Sequence, residues 1–490
     1  MTGIARTRRA VAWLLVPALL AALVGCGGGG SSSAASAASA AAPTLKSITV
    51  APSTATVAMG LTQTYTATGE YSDGTSAALT TGVTWSSSGS AVTVVASTSI
   101  TCTAPSRTGS CGFQEVVVTH PDDKKSGTGG KLFAYVSSGV EWAAPVDYQV
   151  GTYPRRVVAA DFNADGKLDL ASANQIGNNV TVRLGAGDGT FPMAQSMNIA
   201  LGTGTTPMDL VAVDLNADGK IDIATVNAGA TGSVTVLLNQ GASFTSSVFS
   251  TNVGSFGSGT AIASGDLNTD GKVDLAVSSS SSPGVLPMLG DGTGGLTAGT
   301  VRLVGGFTSD LALVDMDGDS KLDIVTANFS TNNVTVCLGT GTAMFGNPLN
   351  QNASTRPGGL FVTDLDGDKK PDVIAANNVG NSVSVLLGTG GGLLANPVNL
   401  SLGSNFPESV WVSDVSNDGK PDIVTANNQT NNWSYLQAMN ATQYAAPLHT
   451  ATGTTPAGIT VADLNGDGMR DILVASAGTN NLQVTLQACK

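Results

Sequence analysis

The sequence predicts an all-β protein, a seven-bladed β-propeller preceded by a small β-sandwich. Three observations support this fold class. Glycine accounts for 61 of 490 residues and charged residues for only 12%, a profile that disfavours coiled coils and helix bundles. An acidic nine-residue pattern recurs seven times at intervals of 49 to 53 residues. The segments on both sides of each copy are rich in β-branched residues, as β-strands are.

Residues 1–26 are predicted to be a secretory signal peptide. Three arginines precede an apolar stretch at residues 11–24, which is shorter than the roughly 20 residues that a transmembrane helix needs. The stretch ends Leu23-Val24-Gly25-Cys26, which resembles the bacterial lipobox and implies that Cys26 carries a lipid. The alternative is an ordinary cleaved signal peptide in which Cys26 has no role. No Asp follows Cys26, and by resemblance to Gram-negative lipoproteins this implies the outer membrane.

Residues 27–43 are predicted to be a flexible tether. They consist of Gly, Ser and Ala with a final Pro, and they carry neither charge nor apolar periodicity. Such a segment would hold the folded part of the chain away from the lipid surface.

Residues 44–122 are predicted to form a small antiparallel sandwich, because β-branched and polar residues alternate between turn signals such as Asp73-Gly74. The I-x-V-x-P opening, the segment A-T-G-x-Y-S-D-G-T and the strand V-T-W-S-S-S, with Trp85, resemble the group 2 bacterial Ig-like domains. That resemblance implies a spacer. Residues 123–140 are predicted to be a linker to the repeats.

Two cysteines of this first domain, Cys102 and Cys111, flank a Pro-Ser-Arg-Thr-Gly turn. In an oxidising compartment a hairpin disulfide is expected between them, and two buried free thiols are the alternative. Cys337 and Cys489 fall in separate repeats and are expected to stay reduced.

The repeated pattern is D-x-[DNS]-x-D-x-x-x-D, and we call its seven copies carboxylate loops one to seven. Oxygens at positions 1, 3, 5 and 9, together with the carbonyl of position 7, suit a hard cation that takes six to eight oxygen ligands, so each loop predicts a Ca²⁺ site and the chain up to seven. The loops hold 23 of the 35 acidic residues, which would repel one another without a cation. The candidate ligands are Asp161, Asn163, Asp165, Lys167, Asp169; Asp214, Asn216, Asp218, Lys220, Asp222; Asp266, Asn268, Asp270, Lys272, Asp274; Asp315, Asp317, Asp319, Lys321, Asp323; Asp364, Asp366, Asp368, Lys370, Asp372; Asp414, Ser416, Asp418, Lys420, Asp422; and Asp463, Asn465, Asp467, Met469, Asp471.

Two other interpretations of these loops fit the sequence less well. An EF-hand fails, because position 12 never carries the bidentate Glu and the flanks predict strands rather than helices. Tight Asp/Asn/Gly turns without a cation would not need Asp at position 9 in all seven copies. Ser320 and Lys369 replace the Gly at position 6, and Ser416 replaces the acid or amide at position 3. Loops one, two, three and seven are therefore expected to bind best.

Each repeat of about 50 residues predicts four short strands, which is a propeller blade, and residues 141–490 supply seven. The seventh repeat lacks its fourth strand, and residues 142–151 match the missing strand, so they are expected to close the ring. The repeats resemble the FG-GAP and VCBS repeats of the integrin α-subunit propeller and its bacterial relatives. This resemblance implies calcium at the matching loop positions. Loops on all seven blades suggest a role in stability.

The face opposite the loops is predicted to carry Asn-rich turns. A ring of amides there could bind a glycan or peptide backbone, but hairpin turns with positive φ are the preferred interpretation. The asparagines are Asn174, Asn178, Asn328, Asn332, Asn377, Asn381, Asn427, Asn431, Asn480 and Asn481.

Composition and spacing also disfavour several functions. A net charge of -13 argues against nucleic acid, and two histidines in the whole chain argue against a zinc site or a His-based triad. Trp411 and Trp433 are expected to have strand-core or blade-packing roles rather than to form a sugar platform. The remaining acids share no spacing that suggests a catalytic pair, and these are Asp188, Asp209, Asp291, Asp310 and Glu408.

The sequence therefore predicts a non-enzymatic, calcium-binding, lipid-anchored surface protein of the bacterial outer membrane, facing the periplasm or the outside. Its propeller is expected to be a binding or adhesion scaffold for a protein or glycan, and the protein to be a monomer. A propeller carbohydrate-active enzyme, either a lyase or a glycosidase, and a structural envelope component are the alternatives.

Overall fold

A computed structural model describes residues 140–488, except 230–231, 242, 246–250 and 253–256, together with strands and short turns between residues 45 and 136. The predicted signal peptide and tether, Cys111 and Cys489 lie outside the described residues, and the side chain of Cys102 is not described. Within the described ranges all regular structure is β, apart from one 3-10 turn at Met193–Gln195. No helix in this part of the chain is both long and apolar enough to cross a membrane.

The N-terminal part forms small sheets. A five-stranded sheet has the order β1-β3-β7-β6, with β4 on β3; β5, β8 and β9 form a second sheet, and β10 pairs in parallel with β2. The bounds are β1 (Leu45–Ala51), β2 (Ala55–Ala58), β3 (Thr62–Tyr71), β4 (Ser76–Ala78), β5 (Thr84–Ser87), β6 (Val92–Ala96), β7 (Ser99–Thr103), β8 (Glu115–Thr119), β9 (Ser126–Lys131) and β10 (Phe133–Val136).

The segment predicted as a linker, residues 123–140, contains β9 and β10. The linker prediction is wrong there. It failed because β9, with the sequence SGTGGK, lacks the apolar alternation from which a strand is predicted. Its backbone pairs with β8 and thereby extends the N-terminal sheets beyond residue 122.

Among residues 140–488, seven antiparallel sheets of four or five strands follow one another, each with one carboxylate loop, and three two-stranded sheets accompany them. Their strands up to the third sheet are β11 (Glu141–Trp142), β12 (Val146–Gln149), β13 (Pro154–Ala160), β14 (Asp169–Asn174), β15 (Asn179–Arg183), β16 (Ser196–Ala200), β17 (Pro207–Val213), β18 (Asp222–Asn227), β19 (Ser233–Asn239), β20 (Phe244–Thr245), β21 (Thr251–Asn252), β22 (Gly259–Gly265), β23 (Asp274–Ser279), β24 (Gly284–Gly290), β25 (Leu296–Ala298) and β26 (Arg302–Leu303). The later strands are β27 (Thr308–Val314), β28 (Asp323–Asn328), β29 (Asn333–Cys337), β30 (Leu349–Asn352), β31 (Pro357–Thr363), β32 (Asp372–Asn377), β33 (Ser382–Leu386), β34 (Gly388–Gly390), β35 (Leu393–Leu394), β36 (Val398–Ser401), β37 (Pro407–Ser413), β38 (Asp422–Asn427), β39 (Asn432–Leu436), β40 (Ala438–Asn440), β41 (Gln443–Tyr444), β42 (Leu448–Ala451), β43 (Pro456–Ala462), β44 (Asp471–Ser476), β45 (Asn481–Thr485) and β46 (Gln487–Ala488).

The sheets, numbered 1 to 7 along the chain, share one topology. Sheets 1 and 4 have the orders β13-β14-β15-β16 and β27-β28-β29-β30, and sheets 5 and 6 the orders β31-β32-β33-β36 and β37-β38-β39-β42. In sheet 2 (β17-β18-β19) and sheet 3 (β22-β23-β24) the fourth position is divided between two short strands. Sheet 7 (β43-β44-β45) takes its outer strand from β12, since Val146 pairs with Val484 and Gln149 with Asn481. The predicted closure by residues 142–151 is confirmed.

Packing arranges the sheets in a circle. The first strand of each sheet packs against the first strand of the next, and β43 packs against β13. The closure is reinforced by a hydrogen bond from Thr460 Oγ1 to the Val157 carbonyl, 2.8 Å long. Buried apolar clusters lie between successive sheets, for example around Val180 and Ile223 between sheets 1 and 2. An all-β fold containing a β-propeller is therefore confirmed.

The second strand of every sheet is fully buried along its six residues. Segments such as Asp323–Asn328 (DIVTAN) are suited to this position, because the neighbouring sheets cover both faces and favour a nearly continuous apolar run. Each of these strands begins at the ninth residue of a carboxylate loop, so the buried sheet fixes one end of every loop.

Candidate functional site

Each carboxylate loop joins the first strand of a sheet to the second, so the seven loops share one face of the ring. In loop one, Asp161 accepts the backbone N–H groups of Asp165 and Gly166, at 3.1 and 2.8 Å. Asn163 accepts the N–H of Asp165 at 3.0 Å, and Asp165 accepts that of Lys167 at 3.0 Å. The side chains at positions 1, 3 and 5 are therefore turned inward and offer their oxygens to the middle of the loop.

Position 6 keeps its conformation even where glycine is absent. Gly166 has φ 82°, and Ser320 and Lys369 have φ 67° and 69°. Their N–H groups donate to Asp315 and Asp364, as that of Gly166 does to Asp161. The replacements noted in the sequence thus leave the backbone of loops four and five unchanged.

Loops four and five also bring three carboxylates together. One oxygen from each residue at positions 1, 3 and 5 lies within 4.8 Å of the others, in the groups Asp315, Asp317, Asp319 and Asp364, Asp366, Asp368. Oxygen donors at this density match the chemistry of a hard divalent cation.

The ninth-position aspartate has a role that the sequence did not reveal. It is completely buried in all seven loops. One of its oxygens accepts the N–H of loop position 2 and the other the N–H of the residue just after the third strand or at its end, over 2.6 to 3.0 Å. In loop one the partners of Asp169 are Phe162 and Gly185. The residue therefore clamps the loop to the sheet.

Burial and neighbouring charges set the ionisation of the loops. Burial raises the pKa of every ninth-position aspartate, to about 6 for Asp323 and about 7 for Asp471. In four loops the pKa of the position-5 aspartate is lowered instead. In Asp319, for example, the hydrogen bond from the Lys321 ammonium lowers the pKa most strongly.

The position-7 lysine of loops one to six pairs with the position-5 carboxylate, with N–O distances between 2.6 and 3.9 Å. Loop seven has Met469 there and no such cation. It also contains a buried oxygen, Asp463 Oδ1, that has no hydrogen-bond partner among the described residues. Burial of a carboxylate oxygen lowers the stability of the folded state unless the oxygen accepts a hydrogen bond or binds a cation. The residues of loop seven therefore fit a metal ion.

A second cluster lies at the centre of the ring. Arg156, from the first strand of sheet 1, is within 3.6 Å of Asp209 and 3.1 Å of Asp310, and it donates to Ser409 Oγ at 3.0 Å. Next to it, Arg155 Nη2 is 3.5 Å from Glu408 Oε1. We call these residues the axial cluster.

Its acids are held by backbone donors as well as by arginine. Asp209 accepts the N–H groups of Leu210 and Ile262, at 2.8 and 3.1 Å, and Asp310 accepts those of Leu311 and Leu360, both at 3.0 Å. Burial raises the pKa of Asp209 to about 6, against the opposing charge of Arg156, and Asp310 adds to the shift. Burial disfavours the charged form of Arg156, but Asp310, Asp209 and Glu408 outweigh it and raise its pKa.

The axial cluster corrects the prediction that the remaining acids share no informative spacing. Asp209 and Asp310 each stand five residues before the first Asp of their loop, and so do Arg156 and Ser409; Glu408 and Arg155 each stand six before. Aligning the repeats on their loops reveals this shared register. Asp188 and Asp291, by contrast, lie in exposed turns and bond to Thr190 and Thr293.

An open pocket of about 230 Å³ lies over the axial cluster. The starts of the first strands line it, so it opens on the face away from the carboxylate loops. The lining residues are Arg155, Arg156, Met208, Thr260, Ser280, Ser309, Phe329, Arg356, Pro357, Gly358, Asn378, Glu408 and Ala457.

The Asn-rich turns on this face have positive φ, as preferred, with values of 49° to 57° at Asn178, Asn332, Asn381, Asn431 and Asn480. Each also accepts, through its side-chain oxygen, the N–H of a residue just before the next sheet, over 2.8 to 3.1 Å. The bond from Tyr153 to Asn480 joins the last sheet to the first. The partner asparagines Asn174, Asn328, Asn377 and Asn427 are buried and bond within their own sheet. These amides serve the fold.

The family model for FG-GAP-like repeats matches residues 161–225, 266–326, 315–375, 364–425 and 414–474. The matched residues cover more than half of the chain and include all seven carboxylate loops. This chain belongs to the FG-GAP-like repeat family. Each matched stretch runs from the first Asp of one loop to three residues beyond the ninth Asp of the next, so the family pattern coincides with the spacing seen in the sequence.

Two solved structures are similar to this FG-GAP-like protein at low sequence identity. BBS1N in complex with ARL6DN is 12% identical with a TM-score of 0.50, over 72% of this chain and 98% of that chain. A protein from Bacteroides uniformis, provisionally named a 6-phosphogluconolactonase, is 12% identical with a TM-score of 0.46, over 68% and 92%. No curated protein matches the chain significantly.

The remaining expectations concern single residues of the FG-GAP-like repeats. Trp433 is fully buried and packs edge-on against Trp142, with ring centroids 4.9 Å apart, and Trp411 packs on Phe361 at 5.1 Å. Their predicted packing roles are confirmed. Cys337 is a buried free thiol, as expected.

Proposed function

We propose that this FG-GAP-like propeller is a calcium-stiffened, non-enzymatic scaffold that displays a rigid face for binding a protein or a glycan. The observation that carries the proposal is the convergence of oxygen donors in the carboxylate loops. The strongest case is Asp463 Oδ1 of loop seven, which is buried and has no hydrogen-bond partner among the described residues. A cation at that oxygen would compensate its burial.

In each loop, positions 1, 3 and 5 would bind Ca²⁺ through side-chain oxygens and position 7 through its carbonyl, with position 9 holding the loop in place and adding its negative charge. Calcium supplies a double positive charge that offsets the mutual repulsion of the loop carboxylates. Bound calcium stabilises a folded chain by mass action, because the unfolded loop offers no assembled site.

Loop seven is our candidate for the tightest site, because no lysine competes with a cation there. The expected weakness of loops four and five finds no support in their backbone, which matches that of loop one. Loop six differs in its donor at position 3, since the buried Ser416 offers a hydroxyl where the other loops have a carboxylate or an amide.

The proposed arrangement in the cell rests on the sequence. Cys26 would carry the lipid anchor in the outer membrane, residues 27–43 would form the tether, and an Ig-like domain beginning at residue 44 would act as a spacer. Residues 141–490 would form a seven-bladed, monomeric propeller facing the periplasm or the outside. A net charge of -13 argues against nucleic acid as a partner.

The test is a glycan and protein array probed with the full chain in detergent, once in millimolar calcium and once in EDTA. Binding of one ligand class that is lost in EDTA supports the scaffold. A blank array from a folded, calcium-loaded sample contradicts it.

One observation favours a second candidate, a carbohydrate-active enzyme. Asp209, Asp310 and Glu408 meet at the ring centre, on the face away from calcium, where an enzyme of this fold would need its acids. Glu408 is the acid whose side chain is most exposed, at 28%, against 14% for Asp310 and 11% for Asp209. Turnover of a polysaccharide that is abolished by Glu408→Gln would establish this activity, and absence of any turnover would exclude it.

A further inference from the structure

The pocket over the axial cluster is a candidate binding site on the face away from the carboxylate loops. At about 230 Å³ it is smaller than the roughly 300 to 1,000 Å³ of sites for drug-sized ligands, so it suits a group the size of a single sugar ring.

The charges at the bottom of the pocket are already paired. Arg156 faces two carboxylates and a hydroxyl. The hydroxyls of Thr260 and Ser309 are bonded to backbone carbonyls of Thr308 and Pro357, at 2.9 and 2.6 Å. These groups hold the pocket together and leave little capacity for a ligand.

The rim of the pocket, in contrast, has groups available for binding. Arg356 is exposed, and its guanidinium has no ion pair within the described part of the chain. Arg155 and Glu408 are paired at 3.5 Å with side chains 23% and 28% exposed, so each keeps hydrogen-bonding capacity toward solvent. The Asn378 amide donates to Glu408 Oε2 at 2.8 Å and orients it.

An aromatic surface lies beside these groups. Phe329 lines the pocket, and its ring stacks on Phe307 with centroids 6.2 Å apart and planes inclined by 26°. Phe307 is 36% exposed. The rim therefore combines a guanidinium with no ion pair among the described residues, a guanidinium and carboxylate pair, and an apolar ring face.

We propose that this pocket binds a uronate, an acidic sugar unit of a glycan, with its carboxylate on Arg356, its hydroxyls on Arg155 and Glu408, and its ring against Phe329. The proposal rests on the scaffold function and specifies its ligand class. Arginine is suited to a carboxylate because its planar fork donates two parallel hydrogen bonds. A neighbouring hydrogen-bond donor and acceptor suit hydroxyl groups, because a hydroxyl both donates and accepts hydrogen bonds.

The test is calorimetric titration of the full chain in calcium with D-glucuronate, D-glucose and acetate. Glucuronate is expected to bind with a Kd of about 1 mM or tighter, and at least about tenfold more tightly than either of the other two, because only it offers both the carboxylate and the hydroxyls. Arg356→Gln is expected to abolish the preference for glucuronate. Lys46→Gln, which removes one positive charge from β1 outside the propeller, is the matched control and is expected to retain it.

Three results would overturn the proposal. These are no glucuronate binding by the folded protein, equal binding of glucose or acetate, and unchanged glucuronate binding in Arg356→Gln. If a glycan array is positive and Arg356→Gln leaves its signal intact, the scaffold stands and the pocket assignment is wrong. The two proposals can therefore fail separately.

Discussion

Arg156 Nη2 lies 3.1 Å from Asp310 Oδ2, and this contact joins sheet 1 to sheet 4 across the centre of the ring. The same guanidinium reaches Asp209 in sheet 2 and Ser409 in sheet 6. One side chain thus connects four sheets that contact one another mainly as neighbours around the circle. Arg156 therefore holds sheets together that are not neighbours in the ring.

Arg156→Met is expected to lower the free energy of unfolding by about 3 to 5 kcal/mol, because it leaves two buried carboxylates without their cation. Arg155→Met is the matched control. It removes an ion pair that is partly exposed to solvent and is expected to cost at most about 1 kcal/mol. Urea unfolding in saturating calcium measures both values. An equal loss in the free energy of unfolding for the two variants would show that Arg156 contributes no more to stability than Arg155.

The axial cluster also predicts a pH dependence. Burial, opposed by Arg156 and assisted by Asp310, raises the pKa of Asp209 to about 6, above its value in the unfolded chain. The folded state therefore holds a proton that the unfolded state releases, and the free energy of unfolding falls as pH rises from about 4 to about 6. Asp209→Asn removes this titration. Between pH 4 and 6.5 the wild type is expected to lose on the order of 2 kcal/mol more than the variant at the same calcium concentration, and parallel stability profiles would refute the assignment.

Positions 1 and 9 of a loop are expected to respond differently to substitution. Asp372 is fully buried and accepts the N–H groups of Leu365 and Gly388, at 2.7 and 2.6 Å, so Asp372→Asn is expected to cost about 1 to 3 kcal/mol even in EDTA. Asp364→Asn, in the same loop, is expected to change stability mainly when calcium is present. Thermal unfolding of both variants with and without calcium separates the two roles, and a loss in EDTA that is no larger for Asp372→Asn than for Asp364→Asn would argue against the clamp.

Loop seven is expected to be the first site to fill. Asp463 Oδ1 is buried without a hydrogen-bond partner in the described structure, and no lysine stands at position 7. Asp463→Asn is therefore expected to remove the tightest step in a calcium titration, whereas Asp161→Asn, in a loop where Lys167 accompanies Asp165, removes a weaker one. The same high-affinity step in both variants would contradict this ranking.

The repeat spacing was sufficient to predict the ring, because a period of about 50 residues with strand patterns on both sides of each loop admits few other folds. It also predicted that β12 would complete sheet 7, since residues 142–151 resemble the fourth strand of other repeats. The strand β9, which lies in the segment predicted as a linker, was missed because backbone pairing, rather than apolar alternation, holds it in its sheet.

The site was less predictable than the fold. Arg156, Asp209 and Asp310 come from different repeats and differ in residue type, so no motif marks them, although their common distance from the loops does. The burial of Asp169 and its six equivalents depends on where the third strand ends, which the loop pattern does not encode. The spacing of the loop oxygens predicts that the ninth-position aspartate is a metal ligand, whereas the structure shows that it also holds the loop to the sheet.

Differential scanning calorimetry of the full chain in millimolar calcium and in excess EDTA tests the central claim most directly. If calcium occupies the carboxylate loops and stiffens the propeller, the principal melting temperature is expected to be at least about 10 °C higher in calcium, since several sites contribute by mass action. Coincident melting curves in calcium and EDTA would show that the loops hold their form without a cation and would contradict the account.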